Sequence, residues 1–338
     1  MQRLSLEHST GDHCGSTSLR NLARYYGWGF DEPACFGLGE GLGFSYLTLP
    51  ERPHRAIFGR TGWLERVFFE NLEIEHTIHE GEQFDAAWDA IKHCIDDGDP
   101  VLIFADIFYL DYYESDTHFA PHSLLVVGYE TDADDEYVLL ADSEFESIQR
   151  LPIERLENAL TSDHFVPLQC RYLTIDDPAL GTSFEDAATA ATRETATAML
   201  DATASERESK YFTGQGISEI EAFAAELPDW GALEDPSWTA RFAYQNIERR
   251  GTGGGAFRLL YADYLGQVGA VLPLPADVPS RMESIAGDWT AVSELLYEAS
   301  EAPTEESLGA LLEDAAASVS DIADREQKLY EEILASFE

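Results

Sequence analysis

The sequence predicts an α+β fold with an antiparallel sheet, followed by an all-helical domain. Up to about residue 177, helical periodicity alternates with short apolar runs that are typical of strands. From residue 178 onward only helical patterns follow. A chain of 338 residues is long enough for two ordinary domains. We therefore predict an α+β domain at residues 1–177 and a helical domain at residues 178–338.

Three helices are predicted in the first region, separated by other elements. Residues 16–26 and 84–97 carry apolar residues at helical spacing, and Gly27 follows the first of them as a stop signal. Residues 153–160 form a third, short helix. The segment at residues 37–46 is rich in glycine, and we predict that it is a loop.

Four apolar runs predict the strands of the sheet. The run at residues 101–107 is typical of a buried strand, and residues 169–175 form the last strand. Residues 123–129 and 137–141 flank an acidic turn, a pattern that favours a β-hairpin. Hairpin strands pair antiparallel, so the sheet is expected to be at least partly antiparallel.

The second region contains six helical segments with no strand pattern between them. Alanine, threonine and glutamate dominate the first segment. We find no internal repeat, which argues against a solenoid. The predicted helices are residues 184–209, 217–226, 239–249, 257–272, 282–299 and 305–337.

The composition predicts a folded and strongly acidic protein. Hydrophobic residues make up 44% of the chain and aromatic residues 12%, which is enough to bury a core. The 64 acidic residues outnumber the 21 basic ones and give a net charge of −43. Nucleic acid and anionic membranes attract clustered positive charge, which this chain lacks. We therefore expect no nucleic-acid partner and no membrane binding.

The acidic excess favours a halophilic protein, because salt ions screen the repulsion between like charges. An ordinary acidic protein is the alternative. Adaptation to salt predicts that the free energy of unfolding, measured by denaturant titration, rises from low to molar salt. A free energy of unfolding that falls as salt is added would argue against this adaptation.

The four cysteines are too widely spaced for a disulfide framework or a zinc motif. They are Cys14, Cys35, Cys94 and Cys170. No secretory signal pattern is visible, and the apolar stretch at residues 101–110 is too short to span a bilayer. We expect a soluble, reduced, cytoplasmic protein without a metal site.

Cys14 is the first candidate for a chemical role. It stands directly before a predicted helix, where the helix dipole stabilises a thiolate. A thiolate is the form of cysteine that acts as a nucleophile. The alternative is a small buried hydrophobic residue, which is the usual role of a free cysteine.

His122 and Asp142 are candidates for the base and its orienting group. His122 begins one strand of the predicted hairpin, and Asp142 ends the other. A turn centred near Asp132 would place the two residues directly opposite each other and on the same face. Directly opposed residues have Cβ atoms about 4.5–5.5 Å apart, which lets a carboxylate orient an imidazole. A hairpin with ordinary polar ends is the alternative.

The order of these residues resembles that of papain-like cysteine enzymes: a cysteine opening an N-terminal helix, then a histidine strand, then an aspartate strand. More narrowly, the sequence is similar to the butirosin biosynthesis protein H family. The similarity rests on His13 beside Cys14, on the Tyr-Tyr-Gly at residues 25–27, on the Gly-Asp-Pro-Val at residues 98–101, and on the glycine-rich segment 251–258. It covers nearly the whole chain.

The resemblance implies a papain-like first domain and acyl transfer through a thioester. Cys14 would be the nucleophile, His122 the general base and acid, and Asp142 the orienting group. The acyl donor would be an acyl carrier protein or another thioester, and the acceptor a small-molecule amine. No cofactor is required. The oligomeric state is left open, and a homodimer is compatible with the sequence.

The oxyanion site departs from the pattern of papain-like enzymes, which place a glutamine several residues before the cysteine. Here His8 or the backbone N–H of Cys14 could donate instead. His118 is an alternative base to His122. His13 is expected to be a packing or solvent-facing histidine.

Several residues are weaker candidates for substrate contacts. Four residues that follow a predicted strand could line a cleft or belong to an ordinary surface loop: Asp106, Tyr109, Asp111 and Tyr112. Gly253, Gly254 and Arg258 could bind an anionic part of a substrate, or belong to a flexible loop before a helix.

Two other functions stay open at this point. The same three residues would serve a cysteine hydrolase acting on a peptide or amide. A binding protein that keeps the fold without turnover is the other alternative, and the missing glutamine favours it.

Overall fold

The computed structural model describes residues 1–132, 135–164, 166–201, 203 and 215–338. The strands are β1 (Gln2–Arg3), β2 (Leu42–Thr48), β3 (Arg55–Arg60), β4 (Glu75–His79), β5 (Val101–Ala105), β6 (His122–Asp132), β7 (Asp135–Ala141), β8 (Gln149–Pro152) and β9 (Tyr172–Asp177). The helices are α1 (Cys14–Tyr26), α2 (Glu32–Leu38), α3 (Leu64–Asn71), α4 (Phe84–Asp97), α5 (Ile153–Thr161), α6 (Phe184–Leu200), α7 (Ile217–Glu226), α8 (Pro236–Glu248), α9 (Arg258–Val268), α10 (Val278–Ser300) and α11 (Glu305–Ala335).

The predicted fold class is confirmed. An antiparallel sheet with flanking helices is followed by a helical region, and the described residues after β9 form helices and no strands. The segment 184–209 was predicted as one helix; α6 accounts for its first part, and residues 202 and 204–209 lie outside the described residues.

The chain forms two compact units. Unit 1 comprises Met1–Cys35 and Leu72–Thr182, and unit 2 comprises Phe36–Asn71 and Ser183–Glu338. The sequence predicted one division near residue 177, whereas Phe36–Asn71 groups with the later helices. The reason is the hairpin of β2 and β3, since β2 contacts α7 and β3 contacts α8 within unit 2.

Unit 1 is built on one antiparallel sheet. Its strands lie in the order β4, β9, β5, β6, β7, β8, and β1 pairs with β6. The apolar face of α4 contributes Trp88, Ile91 and Ile95 to the core beneath this sheet, and α5 contributes Leu156 and Leu160. The sheet therefore provides a rigid base for the strand ends, where His122 and Asp142 lie.

The segment predicted as a glycine-rich loop is ordered secondary structure. It contains the end of α2 and most of β2. A Cβ atom on Gly41 would lie 2.6 Å from the side chains of Phe36 and Leu64, so glycine is required there for close packing. Glycine content alone did not distinguish this close approach from a flexible loop.

Unit 2 has a fully buried ion pair in its core. Arg258 donates from Nε to Glu326 at 2.8 Å, and both side chains have 0% exposure. The same guanidinium donates to the carbonyl oxygens of Gly43 and Ala256. Trp289 Nε1 donates to Glu326 at 2.9 Å. The pair thus ties the β2–β3 hairpin to α9, α10 and α11.

The described helices include none with a stretch both long and apolar enough to cross a membrane.

Candidate active site

Cys14 is the first residue of α1, where the helix leaves backbone N–H groups without partners inside the helix. His13 is the N-cap residue, and its Nδ1 accepts a hydrogen bond from the backbone N–H of Ser16 at 3.2 Å. The Cys14 side chain is half-buried. A thiolate at this position lies at the positive end of the helix dipole, which stabilises it.

Glu32 on α2 holds the segment that precedes Cys14. One oxygen of its carboxylate accepts from the backbone N–H groups of Asp12 and His13 at 3.0 and 2.9 Å. Arg20 Nη1 lies 3.1 Å from Glu32 Oε2 and balances the negative charge of that carboxylate. A Cβ atom on Gly11 would lie 2.2 Å from this carboxylate, so the tight approach requires glycine. These contacts fix the entry into α1.

The structure brings His122 and Asp142 together. His122 Nε2 lies 3.0 Å from Asp142 Oδ2, and both side chains are buried. His122 also hydrogen-bonds the side chain of Cys14. The three residues that the sequence singled out therefore form one connected group in unit 1.

The pairing register differs from the prediction. Asp132 pairs with Asp135, so the hairpin turns later than expected. If this pairing continued unchanged along both strands, His122 and Asp142 would lie on opposite faces of the sheet. A register shift between Val126 and Gly128 adds one residue to β6, after which Leu125 pairs with Ala141. This β-bulge returns both side chains to one face, diagonally offset rather than directly opposed.

The surroundings of Cys14 favour an ion pair with His122. Burial alone raises the pKa of the Cys14 thiol, but electrostatic interaction with His13, together with the hydrogen bond and charge of His122, holds this pKa well below the usual range. Burial lowers the pKa of His122, but the charge and hydrogen bond of Asp142, together with Cys14, raise it to about 10. A thiolate beside an imidazolium is the arrangement that cysteine enzymes use for nucleophilic attack.

The other three cysteines differ from Cys14. Burial, together with nearby carboxylates, raises the pKa of Cys35, Cys94 and Cys170. Only a lowered pKa gives a substantial thiolate fraction at neutral pH. Cys14 is the cysteine of this chain whose environment supports reactivity.

The sequence indicates Tyr112 only as a possible cleft residue and does not single out Tyr113, yet both contact Asp142. Their hydroxyls donate to the two oxygens of Asp142, each at 2.9 Å. Both lie in a short 3-10 turn, Asp111–Tyr113, between β5 and β6. The adjacent Tyr-Tyr pair in a polar segment was the only signal in the sequence, and neither periodicity nor spacing connected it to Asp142.

His8 is not placed to donate to an oxyanion, contrary to the expectation. Its Nε2 must donate to the carbonyl oxygen of Phe145 at 2.6 Å, because a carbonyl can only accept. Its Nδ1 then accepts from the amide of Asn21 at 3.2 Å. The backbone N–H of Cys14 is the other donor that the sequence suggested.

His118 pairs with Asp106 rather than with Asp142. Its Nδ1 lies 2.7 Å from Asp106 Oδ2, and its ring stacks on His164. Asp106 is fully buried and also accepts from Ser162, so it fastens this loop and does not line a cleft. Tyr109, half-buried beside His118, faces the guanidinium of Arg155.

The sequence suggested a packing or solvent-facing role for His13. In the structure, His13 turns toward the start of α1, beside Cys14. It is buried, caps α1 and interacts electrostatically with the adjacent Cys14 side chain. Its position as N-cap, which usually belongs to serine, threonine, aspartate or asparagine, explains why its ring turns back toward the helix start.

The candidate anion site in unit 2 is occupied by the chain itself. The backbone N–H of Gly255 donates to Glu248 Oε1 at 2.9 Å, and that of Gly254 donates to Thr252. A carboxylate thus fills the glycine-rich turn beside Gly253. Arg258 is fully buried with its donors bonded within unit 2. Neither Gly254 nor Arg258 is therefore placed to meet a substrate anion.

Within the described ranges, no group of three or more histidine, cysteine, aspartate or glutamate side chains is arranged to hold a metal ion.

Comparison with known families covers most of the chain. The family described as butirosin biosynthesis protein H, N-terminal, matches residues 13–143. A domain of unknown function, DUF4872, matches residues 154–333. No curated protein matches the sequence significantly. The first match spans Cys14, His122 and Asp142, and the second spans most of the helical region. The chain belongs to the butirosin biosynthesis protein H-like family.

Proposed function

We propose that this protein is a cysteine-dependent acyltransferase that forms an acyl-enzyme thioester on Cys14. The observation that carries this proposal is the hydrogen-bonded series Cys14–His122–Asp142 at the start of α1. The low pKa of Cys14 and the raised pKa of His122 support a thiolate–imidazolium pair at neutral pH. Membership of the butirosin biosynthesis protein H-like family supports a biosynthetic role.

The first half-reaction loads the acyl group onto the protein. The Cys14 thiolate attacks the carbonyl carbon of a donor thioester, and the oxyanion forms at the N-terminus of α1, where the backbone N–H of Cys14 can donate. Collapse of this intermediate expels the donor thiolate, which takes a proton from His122. Asp142 holds the imidazole in place throughout. The products are a thioester on Cys14, a free thiol and a neutral His122.

The second half-reaction transfers the acyl group to an amine. The amine attacks the carbonyl carbon of the Cys14 thioester and gives its proton to neutral His122. The new amide leaves, and the thiolate–imidazolium pair is restored. The donor is an acyl carrier protein or another thioester, and the acceptor is a small-molecule amine. Water in place of the amine would make the same site a hydrolase.

Trapping the acyl-enzyme tests this proposal. The protein is incubated with short-chain acyl thioesters of N-acetylcysteamine, and its intact mass is measured. We expect one acyl adduct on the wild type and none on Cys14→Ala. Cys94→Ala is the matched control and should still form the adduct, because Cys94 has a raised pKa and lies outside the site.

The chase step separates the alternatives. Addition of a primary amine should discharge the adduct as an amide faster than water does. Faster discharge by water would favour the hydrolase. If no thioester acylates the wild type, or if Cys14→Ala forms the same adduct, the proposed nucleophile is wrong.

A further inference from the structure

Asp142 accepts more hydrogen bonds than the orientation of an imidazole requires. Oδ2 accepts from the Tyr112 hydroxyl at 2.9 Å and lies 3.0 Å from His122 Nε2. Oδ1 accepts from the Tyr113 hydroxyl at 2.9 Å and from the backbone N–H of Glu144 at 3.3 Å. These hydrogen bonds fix the orientation of the Asp142 carboxylate, which is fully buried.

Tyr113 and Asp142 both require a hydrogen on Nε2 of His122. Its hydroxyl oxygen lies 3.2 Å from His122 Nε2. The single proton of that hydroxyl is donated to Asp142, so the oxygen can only accept from the imidazole. Nε2 therefore carries a hydrogen, shared between Asp142 and Tyr113, and Nδ1 is left for the thiol of Cys14.

The two tyrosine rings are fixed independently of their hydroxyls. Each ring packs edge-on against Phe145, with centroids 5.0 Å apart. Their turn is anchored to α5, because Arg155 Nε donates to Asp111 at 2.7 Å. Removing a hydroxyl should therefore leave the ring in place and delete only the hydrogen bond.

We propose that Tyr112 and Tyr113 form a clamp that fixes the Asp142 carboxylate in its charged form and thereby orients His122 toward Cys14. This inference rests on the proposed function. The tyrosines are positioning residues, since they act through Asp142 and His122.

Electrostatics of the pocket explain why such a clamp is needed. Burial raises the pKa of Asp142, and the neighbouring carboxylate of Glu144 faces the same group. The charge and hydrogen bond of His122, together with the hydrogen bonds from Tyr112 and Tyr113, lower the pKa of Asp142 instead. Donors to the charged form of a buried carboxylate favour that form, so each hydroxyl contributes to keeping Asp142 ionised.

The pH profile of Cys14 alkylation tests the clamp. Iodoacetamide is added to the full chain, and the rate of modification of Cys14 is measured by peptide mass spectrometry from acid to alkaline pH. In Tyr113→Phe we expect the rate at neutral pH to fall about tenfold, as for loss of a hydrogen bond to a charged group. We also expect the acid limb to move toward higher pH, because a less firmly held His122 stabilises the thiolate less.

The control variants separate the clamp from a general effect on the fold. Tyr129 lies on the same strand as His122, and its hydroxyl donates a hydrogen bond to the carboxylate of Asp96. Tyr129→Phe removes this tyrosine–carboxylate hydrogen bond outside the site and should leave the pH profile of Cys14 alkylation unchanged. In an Asp142→Asn background, Tyr113→Phe should cause no further loss of rate. Tyr112→Phe repeats the test at the other oxygen and replaces Tyr113→Phe if that variant does not fold.

The outcomes are distinguishable. If both tyrosine variants keep the wild-type profile while Asp142→Asn slows alkylation, the clamp is refuted and the proposed function stands. A lowered melting temperature with an unchanged acid limb would also refute it, since that result shows a structural role alone. If wild-type Cys14 reacts no faster than the other cysteines, the proposed function fails, and the clamp fails with it.

Discussion

Replacing His122 with alanine is expected to slow acylation of Cys14 by about 10²- to 10⁴-fold, the range for loss of a positioned general acid–base. The variant loses the hydrogen bond and charge that help to keep the thiol of Cys14 ionised. It also loses the proton donor for the leaving thiolate. Stopped-flow or quenched measurement of acyl-enzyme formation gives the rate directly.

The pH dependence of this rate gives a second check. In the wild type, the rate should rise with pH as Cys14 loses its proton, well below the usual thiol range, and should fall near pH 10 as His122 loses the proton that it donates. In His122→Ala the acid limb should move to higher pH, and the alkaline limb should disappear.

His118→Ala is the comparison that distinguishes the two candidate bases. His118 is held by Asp106, outside the hydrogen-bonded series that contains Cys14. We expect a much smaller loss of rate than in His122→Ala and no change in the acid limb. An equal or larger loss in His118→Ala would show that the base is assigned to the wrong histidine.

Replacing Glu326 with alanine is expected to destabilise unit 2 by about 3–5 kcal/mol, as when one partner of a buried ion pair is removed. Arg258 would then lie buried without its counter-charge, although its bonds to Gly43 and Ala256 persist. Denaturant unfolding followed by tryptophan fluorescence measures the change, because Trp289 hydrogen-bonds Glu326.

Helix α11, which contains Glu326, also provides a control for the loss of an ion pair at the surface. Glu332 on α11 pairs with Arg281, and both side chains are substantially exposed. Glu332→Ala should cost only about 0–1 kcal/mol, the usual value for a surface ion pair. If Glu326→Ala costs no more than Glu332→Ala, then the buried pair is not a principal support of unit 2.

The fold class followed from the sequence because its signals are local. Helical periodicity with a glycine stop placed α1 to within two residues, and α4 matches its predicted range, residues 84–97. The pairing of His122 with Asp142 followed from their places at the two ends of one predicted hairpin, whereas Cys14 was joined to them through the resemblance to papain-like enzymes. The exact register did not follow, because a β-bulge cannot be located from an apolar run.

Features that depend on tertiary contacts could not be predicted. The segment Phe36–Asn71 contains strands and a helix that pack with elements far along the chain. Arg258 has the sequence context of a substrate-binding arginine beside glycines, yet its partner Glu326 lies 68 positions away. Tyr112 and Tyr113 likewise contact Asp142 only in the folded chain, because Asp142 follows β7, about 30 positions further along.

Selective alkylation shows directly whether Cys14 is an activated thiolate. The wild type and Cys14→Ala are treated briefly with limiting iodoacetamide near neutral pH in molar salt, and the intact mass and the modified peptide are determined. We expect one rapid adduct, located on Cys14 and absent from the variant, with Cys35, Cys94 and Cys170 unmodified. Equal modification of all four cysteines, or an unreactive Cys14, would contradict it.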